Sequence, residues 1–328
     1  MPKKTPLFRQ FDPKQAAIPG SLQNLMLRHV EDLERRNYTA DTIKNRRVIL
    51  LRFARWLDER AVTDAAAVTR AMVERYQRWL FHQRKKDGKP LSVRTQTERV
   101  KLVQLFFAWA TKKRLVPANP ASDLDFPRPI KSLPEILTTA DIAAIFAVPD
   151  LSTPLGLRDR SILEMFYSTG MRRMELVNLH VHDIDRDKGI VRINQGKGRK
   201  DRLVPVGEIA LYWLARYEDE ARPILGPMVD ETRLYLNASG LPVGRDNLSI
   251  RLRRIFQAAG IKKAGACHLF RHTMATHLLE AGCDVRVIQE MLGHSKLETT
   301  ALYTHVGIAH LKKAHDAYHP AGKRPETA

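Results

Sequence analysis

Cysteine is scarce in this chain, and its scarcity argues against several classes of protein. Only Cys267 and Cys283 occur among the 328 residues, too few for the disulfide framework of a small secreted domain. They do not form a C-x-x-C pair, and Leu269 stands where a zinc-binding H-E-x-x-H helix would carry its glutamate. A glycine-rich nucleotide-binding motif is missing as well. We therefore expect neither a metal nor another cofactor.

Long apolar runs are also missing. No stretch approaches the roughly 20 apolar residues that span a bilayer, and the N-terminal sequence MPKKTPLFRQ is basic without the apolar core of a signal peptide. At 44% hydrophobic residues, the composition is that of an ordinary globular protein, and the length fits two domains. We therefore expect a two-domain cytoplasmic protein with no membrane partner.

Acidic residues are too few to balance the basic ones. The formal net charge is +19, and residues 1–134 hold 28 Lys and Arg against 13 Asp and Glu, whereas the remainder holds 27 against 23. A front half this basic favours a polyanionic partner, because affinity for phosphates grows with the number of cationic contacts. We expect the partner to be double-stranded DNA, which would place the protein on the nucleoid.

Apolar residues at helical spacing predict four helices with short connections near the N-terminus. We expect residues 1–20 to be a flexible leader and residues 21–115 to form an antiparallel helical domain. The helices are predicted over about Ser21–Asn37, from Thr39 or Asp41 onward, over Ala67–Lys85 and over Ser92–Lys113. An aromatic stripe at helical spacing is more typical of a core than of a base-stacking platform, and it comprises Phe53, Trp56, Trp79, Phe106, Phe107 and Trp109.

Basic side chains on the outer faces of the second and fourth helices are the candidates for contacts with DNA phosphates. They are Arg46, Arg47, Arg94, Arg99 and Lys101. A solvated surface is the alternative interpretation for each of them.

Five prolines interrupt residues 116–134. Because proline disfavours helix and stiffens an extended path, we expect this stretch to be an interdomain linker. The second domain is then predicted over residues 135–319, with a disordered tail at 320–328. Alternating residues predict a β-hairpin with a glycine-rich tip over 189–205, and 234–236 is a candidate for one more strand. The predicted fold class is mainly α with a small sheet.

The stretch from Ala266 to Thr304 holds polar residues that packing does not require. Its apolar spacing predicts three short helices, separated at Gly282 and Gly293, residues that stop helices. Ser295 and Glu298 form a capping box that opens the third helix. The polar residues fall on one helix face, in the corner after the second helix and in the third helix. They are His268, Arg271, His294 and Tyr303.

Four short motifs in a fixed order resemble the signature of the tyrosine recombinase (phage integrase) family, especially its Xer-like branch. They read T-G-M-R-R-M-E-L, H-L-F-R, L-G-H-S and Y-T-H-V, beginning at residues 169, 268, 292 and 303. The resemblance implies a catalytic set of six residues and one supporting carboxylate. The set is Arg172, Lys197, His268, Arg271, His294 and Tyr303, with Glu175 holding Arg172. Lys200 in the same hairpin tip competes with Lys197 for the role of general acid.

These residue types suit attack on a DNA phosphodiester. A tyrosine hydroxyl has a pKa of about 10, so its ionisation at pH 7 costs about 4 kcal/mol and a base such as His268 helps. The transition state gains charge on the non-bridging oxygens, which planar guanidinium groups bind well. The resemblance implies site-specific recombination through a 3′-phosphotyrosyl intermediate, without ATP or metal because one phosphodiester replaces another.

The resemblance also implies a tetramer on paired DNA half-sites, with the terminal segment 304–319 packing onto a neighbouring subunit. The sequence equally allows this segment to fold back on its own domain. Two other functions stay open at this point: relaxation of DNA like a type IB topoisomerase, and DNA binding without catalysis on the same scaffold.

Overall fold

Two compact units make up the chain, residues 1–132 and 133–328, and each has its own hydrophobic core. The computed structural model describes residues 11–126, 135–194, 201–226, 231–263, 265–293, 312 and 315–319. Within these ranges, no helix has both the length and the apolarity of a membrane span. The predicted mainly helical fold with a small sheet is confirmed.

The first unit is built from helices whose N-termini lie where the sequence places its caps. The helices are α1 Pro13–Ala17, α2 Leu22–Arg35, α3 Ala40–Asp58, α4 Arg70–His82 and α5 Val93–Lys112. The side chains of Ser21, Thr39 and Ser92 each accept a hydrogen bond from the backbone N–H three residues further on. This satisfies one of the donors that a helix start leaves open.

Aromatic residues fill the core of the first unit, as predicted. Phe53, Phe106 and Phe107 are fully buried and Trp56 nearly so, with Phe53 at the centre of edge-to-face contacts with its neighbours. Trp79 and Trp109 pack against this cluster while partly buried. The stripe is therefore core, and it is not a base-stacking platform.

The two ends of the first unit differ from the sequence-based expectation. The described part of the expected leader forms α1, which Asp12 caps, and Phe11 before it enters the core. The described part of the expected linker packs on the same core through Val116, Ala121 and Leu124. Both segments are ordered because their apolar side chains are buried there.

The second unit surrounds a buried central helix. Its elements are α6 Thr139–Phe146, α7 Pro154–Thr169, α8 Arg173–Val177, β1 Ile184–Asp185, β2 Ile190–Ile193, β3 Arg202–Pro205, α9 Glu208–Arg216, α10 Arg245–Ala258, α11 Ala266–Glu280 and α12 Val285–Leu292. Almost every residue of α7 is buried, and it packs against α9 and α11. Residues 217–221 continue α9 as one π-helical turn.

The sheet is antiparallel in the order β1-β2-β3. Ile193 is paired with Arg202, and Ile190 with Pro205, so the predicted hairpin is confirmed and its tip, residues 195–200, lies outside the described residues. Val191, Ile193 and Val204 are buried in the core of the unit. The sheet is thereby fixed to the helices around it.

The strand predicted at 234–236 does not form; the segment makes only an isolated bridge between Leu236 and Pro242. The N–H of Leu234 donates to the carbonyl of Leu179, and side chains bind other backbone groups of the segment. The Tyr217 hydroxyl donates to the carbonyl of Leu234 and accepts from the N–H of Leu236, and Arg158 donates to the carbonyl of Leu236. The segment is therefore buried but not extended into a sheet.

The described end of the C-terminal segment folds back on its own unit. Residues 315–318 are helical, and His315 and His319 are buried against the last turn of α7. Their Nε2 atoms donate to the carbonyls of Ser168, at 3.0 Å, and Tyr167, at 2.9 Å. The predicted third helix of the C-terminal stretch and residues 304–311 lie outside the described residues.

Candidate active site

The end of α7 places Arg172 at the start of α8. Gly170 ends α7 with φ of 58°, and a Cβ at this position would lie 2.7 Å from Cε of Met274 and 2.8 Å from Cδ2 of Leu292. The positive φ favours glycine here, and a Cβ would also force the side chains of Met274 and Leu292 to shift. After this tight exit, Arg172 donates from Nη2 to the carbonyl of Gly293 at the end of α12, at 3.1 Å.

Glu175 holds Arg172 by two hydrogen bonds. Oε1 accepts from Nη1 of Arg172 at 2.8 Å, and Oε2 accepts from its backbone N–H at 2.7 Å. Burial raises the pKa of Glu175, but the hydrogen bonds and charge of Arg202, followed by the hydrogen bonds from Arg172, outweigh burial and lower the pKa to about 2. The carboxyl group is therefore ionised at every physiological pH.

Arg271 lies on α11 and is almost completely buried. Nη1 donates to the carbonyl of Gly170 at 2.8 Å, and Nη2 donates to that of Leu292 at 2.6 Å. Burial, and then the charges of Arg172 and Arg202, lower the pKa of Arg271 to about 10. The guanidinium group of Arg271 stays protonated at neutral pH, although burial and the neighbouring arginines disfavour its positive charge.

Arg202 on β3 belongs to the same cluster, and sequence reasoning missed it. Its guanidinium group donates to both oxygens of Glu175, at 2.9 and 2.7 Å, and Nε donates to the carbonyl of Met291 at 3.0 Å. A signal exists in the strand pattern: Arg202 shares a sheet face with buried Val204, whereas Leu203 between them is exposed. An arginine at an inward position predicts a buried acidic partner.

The three arginines meet at three consecutive carbonyls at the C-terminus of α12. The carbonyls of Met291, Leu292 and Gly293 accept hydrogen bonds from Arg202, Arg271 and Arg172, respectively. These carbonyls form the negative end of the helix dipole, which cations stabilise. Gly293, with φ of 62°, ends α12 as predicted.

His268 lies one turn before Arg271 in α11, with its side chain exposed. Burial of part of the ring lowers its pKa, and so do the charges of His272, Arg271, Arg173 and Arg172. The imidazole is thus neutral at pH 7 and able to accept a proton. The structure therefore places Arg172, Glu175 and Arg271 at the end of α12, with His268 one helical turn from Arg271.

The remaining predicted site residues lie outside the described residues: Lys197, Lys200, His294 and Tyr303. Their described neighbours in the chain adjoin the cluster. Arg202 follows the hairpin tip that carries the two lysines, and Gly293 directly precedes His294.

A basic cavity of about 710 Å³ opens beside the first turn of α11. Cationic side chains line it together with His268 and apolar residues of α10 and α11, and they are Arg173, Arg253, Lys262 and Lys263. A cavity of this charge is complementary to phosphate groups.

The candidate DNA-binding residues of the first unit lie on α3 and α5, which pack against each other. Arg94 and Lys101 are exposed, whereas the others are partly covered. The Arg46 guanidinium stacks on the ring of Tyr38 at 4.7 Å. Burial and the charge of Arg52 lower the pKa of Arg99. Both helices therefore carry cationic groups at their surface.

Solved structures share this fold. A Tn1549 transposon integrase in complex with a circular intermediate DNA aligns with a TM-score of 0.68 at 17% identity, covering 89% of this chain and 98% of that one. A lambda integrase tetramer bound to a Holliday junction aligns with a TM-score of 0.64 at 19% identity, covering 93% of this chain and 85% of that one. At these identities the likeness establishes the fold alone.

Sequence comparison establishes the family. The profile of the phage integrase family matches residues 135–310, and that of the phage integrase N-terminal SAM-like domain matches residues 25–116. Tyrosine recombinase XerC 2 of Ralstonia nicotianae is 46% identical over 317 residues, covering 96% of this chain and 90% of that protein. Because the profiles and this relative span most of the sequence, the chain belongs to the phage integrase family and is a tyrosine recombinase.

Proposed function

We propose that the chain is a site-specific DNA recombinase that cleaves and rejoins strands through a 3′-phosphotyrosyl intermediate. The observation that carries the proposal is the meeting of Arg172, Arg202 and Arg271 at the end of α12, directly before His294. Among the described residues, Glu175 supplies the one carboxylate bound within this cluster. The cluster keeps an excess of positive charge, which suits a phosphodiester anion.

The proposed reaction is an in-line exchange at one phosphorus atom. The phenolic oxygen of Tyr303 attacks the phosphorus and forms a new bond, while the bond from phosphorus to the 5′ oxygen breaks. The tyrosine proton passes to His268, whose lowered pKa keeps it neutral at pH 7. Lys197, or Lys200, gives a proton to the departing 5′ oxygen. The products are a covalent 3′ adduct and a free 5′ hydroxyl.

Charge that develops on the phosphate oxygens is the main obstacle to this step. Arg172 and Arg271 are proposed to bind these oxygens, and His294 to donate a further hydrogen bond. Both arginines are fixed in advance by hydrogen bonds to Glu175 or to backbone carbonyls, so little reorganisation is needed during the reaction. The new ester is similar in energy to the old one, which lets the 5′ hydroxyl of another strand reverse the step.

The same proposal assigns the rest of the chain to binding DNA and other subunits. Residues 21–115 would clamp DNA through α3 and α5, and residues 135–319 would form the catalytic domain. We propose assembly as a tetramer on paired half-sites through residues 304–319, on DNA of the nucleoid in the cytoplasm. This assembly requires the segment to exchange its contacts with Tyr167 and Ser168 for contacts with a neighbour.

Covalent trapping tests the nucleophile. The protein is incubated with fragmented DNA from its source organism, quenched in denaturant and digested, and a nucleotide-bearing peptide is sought by mass spectrometry. We expect the adduct on Tyr303, and we expect Tyr303→Phe to bind DNA normally and form none. The recovered fragments identify the target site.

Tyr212→Phe is the matched control, because Tyr212 is an exposed tyrosine of α9, and it should form the adduct at the normal rate. An adduct retained by Tyr303→Phe would refute the assignment. With two copies of the recovered site on one plasmid, a recombinase yields deletions or joint molecules, whereas an enzyme that only relaxes DNA yields neither.

A further inference from the structure

The geometry points to Arg202 as a positioning residue that fixes the phosphate-binding guanidinium of Arg172 through the carboxylate of Glu175. The inference rests on the proposed function, because it concerns the same phosphate site. It adds a third arginine, from the sheet, to the two that the sequence motifs identify.

Arg202 and Arg172 divide the acceptor capacity of Glu175 between them. Oε1 accepts from Nη1 of each arginine, and Oε2 accepts from Nη2 of Arg202 and from the backbone N–H of Arg172. Four hydrogen bonds therefore hold the carboxylate in one orientation. Loss of the bidentate pair from Arg202 leaves Glu175 free to rotate, and Arg172 then loses its fixed acceptor.

A second set of contacts fixes Arg202 itself. Nε donates to the carbonyl of Met291, and the side chain lies directly against Gly293: a Cβ on that glycine would sit 3.0 Å from Cδ and 3.2 Å from Nε of Arg202. The guanidinium group is thus held between α12 and α8. Its side chain is only 12% exposed, so the ion pair with Glu175 is little weakened by solvent.

The place of Arg202 in the sheet distinguishes it from an ordinary surface arginine. It forms the last described ladder pair, with Ile193, before the hairpin tip. Arg192, one residue earlier on β2, points to the opposite face, is 62% exposed and lies 3.4 Å from Asp201. The two arginines are therefore a matched pair on one hairpin, of which only Arg202 reaches the cluster.

The test measures single-turnover cleavage of a nicked DNA substrate that carries the recovered site. Arg202→Met should lower the cleavage rate at saturating DNA about 100-fold, a typical cost of misplacing a reacting group by about 1 Å. The DNA concentration for half-saturation should not change. Arg192→Met should cleave at the normal rate. In a Glu175→Gln background, Arg202→Met should cause little further loss, because both substitutions disable the same contact.

Three outcomes would overturn the inference. One is a normal cleavage rate per folded molecule for Arg202→Met, with folding measured by thermal denaturation. If the methionine variant is unstable, Arg202→Lys is measured in its place, because lysine keeps the charge and lacks the two-pronged guanidinium group. Another is a double variant whose loss of cleavage rate equals the product of the losses in the two single variants. The third is rescue of Arg202→Met by a 5′-thiol leaving group, which needs no general acid and would place the defect in the hairpin lysine. The nucleophile is tested separately: if the wild type forms the Tyr303 adduct and Arg202→Met cleaves normally, only this inference fails.

Discussion

Two buried carboxylates of the second unit are each bound by two arginines, yet they serve different ends. Asp159 on α7 accepts from Arg158 and from Nε of Arg251 on α10. Glu175 on α8 accepts from Arg172 and Arg202. Both satisfy the rule that a buried charge needs a partner, so the carboxylates alone do not reveal which cluster is functional.

The difference lies in the cations near each carboxylate. Arg158 donates to the carbonyl of Leu236, so the Asp159 cluster joins α7, α10 and the 234–236 segment. At Glu175 a third cation, Arg271, lies close enough for the charges of its neighbours to lower its pKa. A structural network has no need of such repulsion, whereas a site that binds an anion uses it.

Removing a cation from each cluster should separate the two roles most strongly. Arg271→Ala should lower the cleavage rate about 1,000-fold, or about 4 kcal/mol in activation free energy, because it removes a prearranged donor to the phosphate. The protein should still fold, since relief of repulsion among the guanidinium groups offsets part of the cost of two lost hydrogen bonds. Single-turnover kinetics and thermal denaturation measure the two effects.

Arg251→Ala is the counterpart in the Asp159 cluster. Its side chain is 43% exposed, and we expect it to lower stability moderately while each folded molecule cleaves at the normal rate. If Arg271→Ala cleaved normally, or if both variants lost activity only in proportion to unfolding, the Glu175 cluster would be as purely structural as the Asp159 cluster.

The carboxylate of the structural cluster should matter most to stability. Asp159→Asn leaves the buried guanidinium of Arg158 without its ion pair, and breaking a buried pair in this way costs about 3 kcal/mol or slightly more. We expect the free energy of unfolding in urea to fall by that amount, with no change in cleavage per folded molecule. Unchanged stability, or a selective loss of cleavage, would contradict a purely structural role.

The sequence was sufficient to predict features that depend on residues close together in the chain. The helix end at Gly293 and the helix starts after Ser21 and Ser92 follow from residues within one turn. The grouping of Arg172 with Arg271 came from ordered motifs, and both side chains donate to carbonyls at the end of α12.

Information that depends on distant partners could not be obtained in this way. Arg202 binds Glu175, which lies 27 residues earlier in the sequence. In the 234–236 segment, the side chains of Tyr217 and Arg158 bind carbonyl groups that a neighbouring strand would otherwise bind. Phe11 and Leu124 are buried in the core that the helices of the first unit form together. In each case the deciding contact is tertiary, so a local pattern does not identify the partner residue.

The smallest predicted effect concerns the pH dependence of the functional cluster. His268 must be neutral to accept the tyrosine proton, so cleavage is lost as the pH falls through its pKa. Burial and the charges of His272, Arg271, Arg173 and Arg172 lower that pKa from its ordinary value of about 6.5. We therefore expect the acid limb of the second-order cleavage rate, which reports the free enzyme, to lie below pH 6.5.

Two substitutions, one near His268 and one in the Asp159 cluster, show whether the nearby charges lower this pKa. Arg173→Met removes one of the cations that act on His268, so the acid limb should move to higher pH. Arg251→Met removes an arginine of the Asp159 cluster that is not among the charges acting on His268. The acid limb of this variant should therefore lie at the same pH as that of the wild type. The position of the limb, and not its height, is the quantity to compare, because Arg173 also lines the basic cavity and its loss can weaken DNA binding at every pH. Equal shifts in both variants would mean that net charge of the whole protein, and not the arginine cluster, sets the protonation of His268.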